Sequence, residues 1–236
     1  MEGSVARVLI TGASRGLGRA LAQELMKAGH QVVASARNLD DLGDLKVTSS
    51  CALDVTNERS IVEAARRIGD IDILINNAAY SISGPLEAIP AEELTRLIDV
   101  NLIGPHRLVR AFLPAMRKRG SGLIVNISSA SARGAPPLQG AYAVSKTALT
   151  FYSQTLRQEV MPFGIQVLNL EPPGMNTKLV ETQQGFSHTG YENYQTLGAE
   201  LNRRRPEVDV GEVAKRIVNE MDQQPRMAIS KTHWLP

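Results

Sequence analysis

In "GAYAVSK", residues 140–146, a tyrosine and a lysine stand four positions apart. On a helix, Tyr142 and Lys146 lie one turn apart on one face, and a phenol beside an ammonium is chemistry for moving a proton to or from an oxygen atom. A free phenol ionises near pH ~10, so a nearby positive charge is what lets it exchange protons at neutral pH. The same pair could be ordinary helix packing, so its surroundings must decide. Thirteen residues before Tyr142, "NISSA" offers two hydroxyls, Ser128 and Ser129. Either could hydrogen-bond a substrate oxygen, or both could form a serine-rich turn. Asn101, in "DVNLIG", is a polar residue among aliphatic ones, where an inward amide often just satisfies the core. Gly104 and Pro105 follow it. Proline removes a helical hydrogen bond and can free a carbonyl nearby.

Near the start, "TGASRGLG" places Gly12, Gly16 and Gly18 between an apolar run and a helix-period segment. Glycines there permit a tight turn and let backbone approach a pyrophosphate at a helix N-terminus; an ordinary turn is the alternative. No Gly-Lys-Ser/Thr follows, so this is not the phosphate loop of a nucleoside triphosphatase. About twenty residues further on, where an acid would hold ribose hydroxyls, the chain has Ala36 and Arg37 in "SAR". An acid would repel a 2′-phosphate, whereas Arg37, together with Arg15 inside the glycine loop, can pair with one. Each arginine alone could simply be solvated.

Short apolar runs and longer helix-period segments must position these residues. Strand candidates are 6–10, 31–35, 50–54, 72–76, 123–127, 165–170 and, weakly, 226–230; helix candidates are 19–29, 57–68, 91–117, 141–161 and 209–222. Near-continuous apolar strands separated by crossover helices imply a parallel sheet covered on both faces, a Rossmann-like doubly wound α/β domain. In such sheets ligands bind beyond the carboxyl ends of the strands. The segments that follow the candidate strands there are "TGASRGLG", "AR", "DVT", "NNAAY", "SSASARG" and "EPPGMNT".

In order and spacing, "TGASRGLG", "NNAA", Asn101, Ser129 and "YAVSK" resemble the short-chain dehydrogenase/reductase family, over nearly the whole chain from Val8 to Ala228. The resemblance implies a seven-stranded parallel sheet, a nicotinamide cofactor, and a catalytic set of Asn101, Ser129, Tyr142 and Lys146. Tyr142 is then the general acid in carbonyl reduction, Lys146 its tuning charge and a ligand of the nicotinamide ribose, and Ser129, with Ser128 as rival, the group that holds the substrate oxygen. The implied cofactor contacts are Gly12, Ser14, Arg15, Gly16, Leu17 and Gly18 in the loop, Arg37 at a 2′-phosphate, and Asp54 and Val55 at the adenine. Asn77 and Ala78 lie beneath the adenosine half, although Asn76 and Asn77 could equally stabilise the sheet. Tyr142 and Lys146, with Pro173, Gly174 and Thr177, complete the set. Arg15 and Arg37 favour NADP(H). "NNAA" departs conservatively from the family's NNAG, and in "PPGMNT" Thr177 comes one residue early.

The expected function is therefore NADPH-dependent reduction of a ketone, aldehyde or 3-oxo compound, with alcohol oxidation by the same residues, or a non-catalytic NADP(H)-binding role, as alternatives. At 236 residues and 43% apolar, with a net charge of +2, one domain spanning 1–236 is expected, with no nucleic-acid partner; "NRRRP" reads as a surface turn. Cys51 is the only cysteine, so no internal disulfide can form, and the four histidines lack metal-ligand spacing, so no metal is expected. No apolar run approaches the ~18 residues of a membrane span and no signal sequence is evident, which points to a cytoplasmic protein. Residues 175–205 fit no strand or long helix; Met175, Leu179, Phe186, Tyr191, Tyr194 and Leu197 suggest a substrate segment with a partly apolar pocket, or merely glue to the core. The resemblance also implies a homo-oligomer, a dimer first and a tetramer second.

Overall fold

The computed structural model describes residues 5–134, 137–175, 184–194, 196 and 208–222. Six parallel strands form the main sheet: β1 (Arg7–Ile10), β2 (Gln31–Ala36), β3 (Ser49–Ala52), β4 (Ile73–Asn76), β6 (Gly122–Ile127) and β7 (Ile165–Leu170). A short β5 (Ile82–Ser83) stands apart and pairs in parallel with β8 (Gln184–Gly185). The helices are α1 (Gly16–Lys27), α2 (Glu58–Ile68), α3 (Ala91–Ile98), α4 (Gly104–Arg119), α5 (Gly140–Val160) and α6 (Val210–Asp222).

Alternation along the strands divides the core. Val8 and Ile10 join Val32, Ala34, Ile73 and Ile75 beneath α1 and α6, whose Leu21, Leu25 and Ile217 complete that layer. Leu9, Val33, Leu74 and Ile124 point the other way, into Ile61 of α2, Phe112 and Met116 of α4, and Leu156 of α5. Each such fully buried aliphatic side chain contributes ~1.5–3 kcal/mol. Helices are punctuated locally: Asn57 accepts the Ser60 N–H at 3.0 Å to cap α2, and Gly120 ends α4 in the left-handed conformation with φ 72°.

The main sheet runs β3-β2-β1-β4-β6-β7, so strand order reverses between β1 and β4. Loops leaving adjacent strands there diverge to opposite faces and open a crevice at the carboxyl rim. The expected doubly wound architecture is present. Of the seven strands expected, six are described in the main sheet; the seventh candidate, at 226–230, lies outside the described residues, as does Thr177.

Two expectations need correction. The expected helix at 91–117 is two helices joined by a π-turn over Asp99–Ile103. The α-helical donor to the Asn101 carbonyl would be the N–H of residue 105, which proline lacks, and Gly104 donates five residues back, to Asp99 O. Residues 175–205 do contain strand: Phe186 N–H donates to Ser83 O at 2.8 Å, and a side chain on Gly84 would meet the Phe186 Cβ at 2.8 Å. A two-residue pairing leaves no periodicity for a sequence reading to detect. Among the described residues no helix is long and apolar enough to cross a membrane.

Candidate active site

The crevice is a cleft of about 1810 Å³ that runs from Arg37 to Met175. Its floor at one end is the glycine loop, and Thr11 is the hub of that loop. The Thr11 hydroxyl accepts the N–H groups of Asn77 and Ala78, both at 3.0 Å, and donates to Ile75 O at 3.3 Å. Asn77 Nδ2 donates to Thr11 O at 2.9 Å and Gly12 O at 3.2 Å. Two glycines are dictated by this closure. A Cβ on Gly12, whose φ is +67°, would lie 2.9 Å from Ala78 Cα, and one on Gly18 would lie 2.3 Å from Gly12 O and 2.4 Å from Asn77 Nδ2.

Arg15, the N-cap residue of α1, makes no side-chain capping bond, and the first turn of the helix holds no acid. Ser14, Arg15, Gly16, Leu17 and Gly18 line the cleft, and the first N–H groups of the helix suit an anion. Exposed Arg15 and Arg37 line the same end. Asp54 is folded into its own turn, its Oδ1 accepting Thr56 N at 2.9 Å and Thr56 Oγ1 at 2.7 Å. Buried Val55 packs on Gly104, where a Cβ would lie 2.9 Å away. Asn77 and Ala78 line the cleft as expected, but their nitrogen donors latch the loop. Asn76 is buried and belongs to the sheet, donating to Asn126 Oδ1 at 2.7 Å.

At the other end Tyr142 and Lys146 occupy the first turns of α5, at the carboxyl rim. Lys146, 2% exposed, donates from Nζ to Ile127 O at 2.7 Å, and the nitrogen lies 5.8 Å from the Tyr142 ring centroid. Burial lowers the Lys146 ammonium to about 8. Burial also pushes the Tyr142 phenol up to about 12, opposed by a hydrogen bond with Ser129. The expected lowering of the phenol by its neighbour's charge is not found: burial is the larger cause, the Ser129 hydrogen bond is what opposes it, and Lys146 Nζ donates to a carbonyl. The phenol stays protonated at neutral pH and remains more acidic than an aliphatic alcohol.

The two serines separate cleanly. Ser128 lines the cleft but is buried, and its hydroxyl is spent on Lys146 O at 2.9 Å. Ser129 caps a single 3₁₀ turn, Ala130–Arg133, accepting Ser131 N–H at 3.2 Å, and faces the phenol. Asn101 is brought near but not into the cleft. Its Oδ1 accepts Tyr80 N–H at 2.8 Å, and its Nδ2 donates to Tyr80 O and Ser145 Oγ, both at 2.9 Å. Ser145 in turn donates to Tyr142 O at 2.7 Å. Both amide hydrogens are thereby used, and the main-chain carbonyl, whose α-helical donor is missing at Pro105, is the group placed to hold a water beside Asn101.

Pro173 and Gly174 line the cleft, and Pro172 O accepts Ala130 N–H at 3.0 Å. Phe186 and Tyr142 both pack against the small apolar cluster of Ile82, Leu97 and Ala141. Leu179 and Leu197 lie outside the described residues. Sequence reasoning missed Thr11, Tyr80 and Ser145. Thr11 directly precedes the glycines and could have been noticed; Tyr80 acts largely through backbone, which leaves no signature. Its phenol also bonds Glu93 Oε2 at 2.8 Å and Gln184 Oε1 at 3.2 Å. Among the described residues no three metal-ligating side chains converge.

Residues 6–186 match the family described as short chain dehydrogenase. The chain is 38% identical over 188 residues to 3-ketodihydrosphingosine reductase of Bacteroides thetaiotaomicron, an alignment covering 78% of this chain and 69% of the relative. It is 37% identical over 180 residues to NADPH-dependent 1-acyldihydroxyacetone phosphate reductase of Schizosaccharomyces pombe, covering 73% of this chain and only 60% of that protein's length. The crystal structure of a short-chain dehydrogenase from Streptomyces avermitilis superposes with a TM-score of 0.84 at 34% identity, covering 95% of this chain and 87% of that one.

Proposed function

The chain belongs to the short-chain dehydrogenase family, and from that premise we propose that it is an NADPH-dependent reductase converting a ketone, aldehyde or 3-oxo group to an alcohol. The observation that carries this reading is the meeting of Ser129, Tyr142 and Lys146 at one end of a cleft whose other end is an uncapped helix N-terminus flanked by Arg15 and Arg37. The glycine loop, closed so tightly that no Cβ fits at Gly18, suits a pyrophosphate; the arginines suit a 2′-phosphate; Asp54 and Val55 flank the adenosine side. Two similar proteins are named as reductases, one of them NADPH-dependent.

When bound, the reduced nicotinamide supplies hydride to the carbonyl carbon. Ser129 holds the carbonyl oxygen beside Tyr142, and Tyr142 gives that oxygen its phenolic proton as negative charge develops there. Lys146 opposes the charge left on the phenolate and holds the nicotinamide ribose. Asn101 acts through its bracket on Tyr80 and Ser145, which fixes the first turn of α5. The same groups run in reverse for alcohol oxidation. We place the protein in the cytoplasm, as one domain that forms a homo-oligomer, with a substrate segment at about 175–205 and a partly apolar pocket beside Phe186.

NADPH oxidation with a panel of ketones, aldehydes and 3-oxo esters tests the reading. Tyr142→Phe should lower kcat by ~10²–10⁴-fold with NADPH affinity retained. Tight NADPH binding without turnover on the whole panel would overturn it in favour of a sensing role.

A further inference from the structure

Glu171, directly after β7, is 4% exposed, yet it has no part in the proton transfer above. A buried carboxylate persists only where donors meet its oxygens. Its Oε2 accepts Arg133 Nε in an ion pair, and its Oε1 accepts Thr150 Oγ1 and Asn169 Nδ2, both at 3.1 Å. These donors come from three places. Arg133 closes the Ser129 turn, Thr150 lies one turn beyond Lys146 on α5, and Asn169 lies on β7. Thr150 Oγ1 is also 3.0 Å from Ser128 Oγ, the hydroxyl that donates to the Lys146 carbonyl. Thr147 reinforces the join, donating to Ala132 O at 3.0 Å.

The Ser129 turn needs such support. Four residues of 3₁₀ helix have poor internal hydrogen bonding, and the Ser129 hydroxyl must meet a phenol carried by a different element. A displacement of ~1 Å between reacting groups can lower a rate ~10²-fold. We propose that Glu171, acting through Arg133, is a positioning residue that clamps the turn bearing Ser129 onto the helix bearing Tyr142 and Lys146. This rests on the reading of Ser129 and Tyr142 given above. Glu171→Gln keeps an acceptor for Thr150 and Asn169 but removes the charge that holds Arg133. The Arg133 side chain is 43% exposed, so weakening its ion pair loosens the turn at the rim rather than the packed core.

The test compares full-length Glu171→Gln, Arg133→Met, Arg133→Lys and the Glu171→Gln/Arg133→Met double variant. In Glu171→Gln and Arg133→Met, kcat for carbonyl reduction should fall by about tenfold or more while the NADPH dissociation constant changes less than about twofold. Arg133→Lys should recover most of the rate, and the double variant should be no slower than either single one, as expected for one shared contact. Amide exchange in peptides covering 128–133 should quicken about tenfold in both single variants, a readout that needs no turnover. If the wild type reduces no carbonyl, the assigned reaction falls, and the exchange rates alone still judge the clamp. Should Glu171→Gln fail to fold, Arg133→Met at the half-exposed partner carries the test. The clamp is refuted if Arg133→Met raises substrate KM with kcat intact, if the two losses multiply in the double variant, or if the turn exchanges at the wild-type rate.

Discussion

Lys146 is the residue whose environment most limits the conditions under which the site works. Burial holds its ammonium at about 8, below its ordinary value, so it is charged at neutral pH and loses its proton just above. In the proposed mechanism reduction needs the charged form, hence kcat/KM should be level from about pH 6 to 7.5 and fall roughly tenfold per unit above about 8. A profile level to about pH 10 would contradict this. The raised Tyr142 phenol adds no limb below that point. In stability the two groups act oppositely: the lowered Lys146 penalises folding in full below about 8 and is relieved as pH rises from there to 10.5, whereas Tyr142 penalises folding only as pH climbs from 10.0 toward about 12. Arg37 carries a separate prediction. Arg37→Asp should lower the NADPH-to-NADH ratio of kcat/KM by about tenfold or more, since an acid repels the 2′-phosphate; an unchanged ratio refutes the assignment. That Tyr142, Lys146, Arg15 and Arg37 share one cleft was legible because charge and spacing are written in side-chain types. The choice of Ser129 over Ser128 came from the family spacing alone, because adjacent serines differ only in which way the chain turns after β6.

At the scale of elements, the break between α3 and α4 is the feature that helical periodicity concealed. The apolar pattern runs through it, and only Gly104–Pro105 hinted at an interruption. Pro105→Ala restores the N–H that an α-helical Asn101 carbonyl would take, so the π-turn should tend toward regular helix. The expected outcome is a kcat several-fold lower with a melting temperature equal to or above wild type. Wild-type turnover would show that the break serves packing alone. The glycine loop was legible as a motif, but its fastening was not: Thr11 and Asn77 meet across β1 and β4, and no local pattern encodes a contact between residues 66 apart.

For the whole molecule, strand order and layering followed from apolar runs alternating with helical segments, because a parallel sheet buried on both faces demands that alternation. The pairing of β5 with β8 did not, being two residues held by Phe186 against Gly84. The outer face of α5 shows Val144 and Phe151, 55% and 66% exposed and seven residues apart, with Met161 and Phe163 nearby. Such an apolar stripe suits the proposed homo-oligomer. Val144→Glu combined with Phe151→Glu should reduce the sedimenting mass toward that of one 25.6 kDa chain, and an unchanged mass would place the interface elsewhere. The latch from Asn77 to Thr11 and Gly12 has one more effect, on how the protein is made. On the proposed reading the pyrophosphate cradle is complete only once β1 has met β4, so nucleotide is not expected to seed folding. At a hundredfold excess over its dissociation constant it adds ~2.7 kcal/mol to the finished molecule, and in a refolding mixture it should slow escape from the native state while leaving the rate of arrival unchanged.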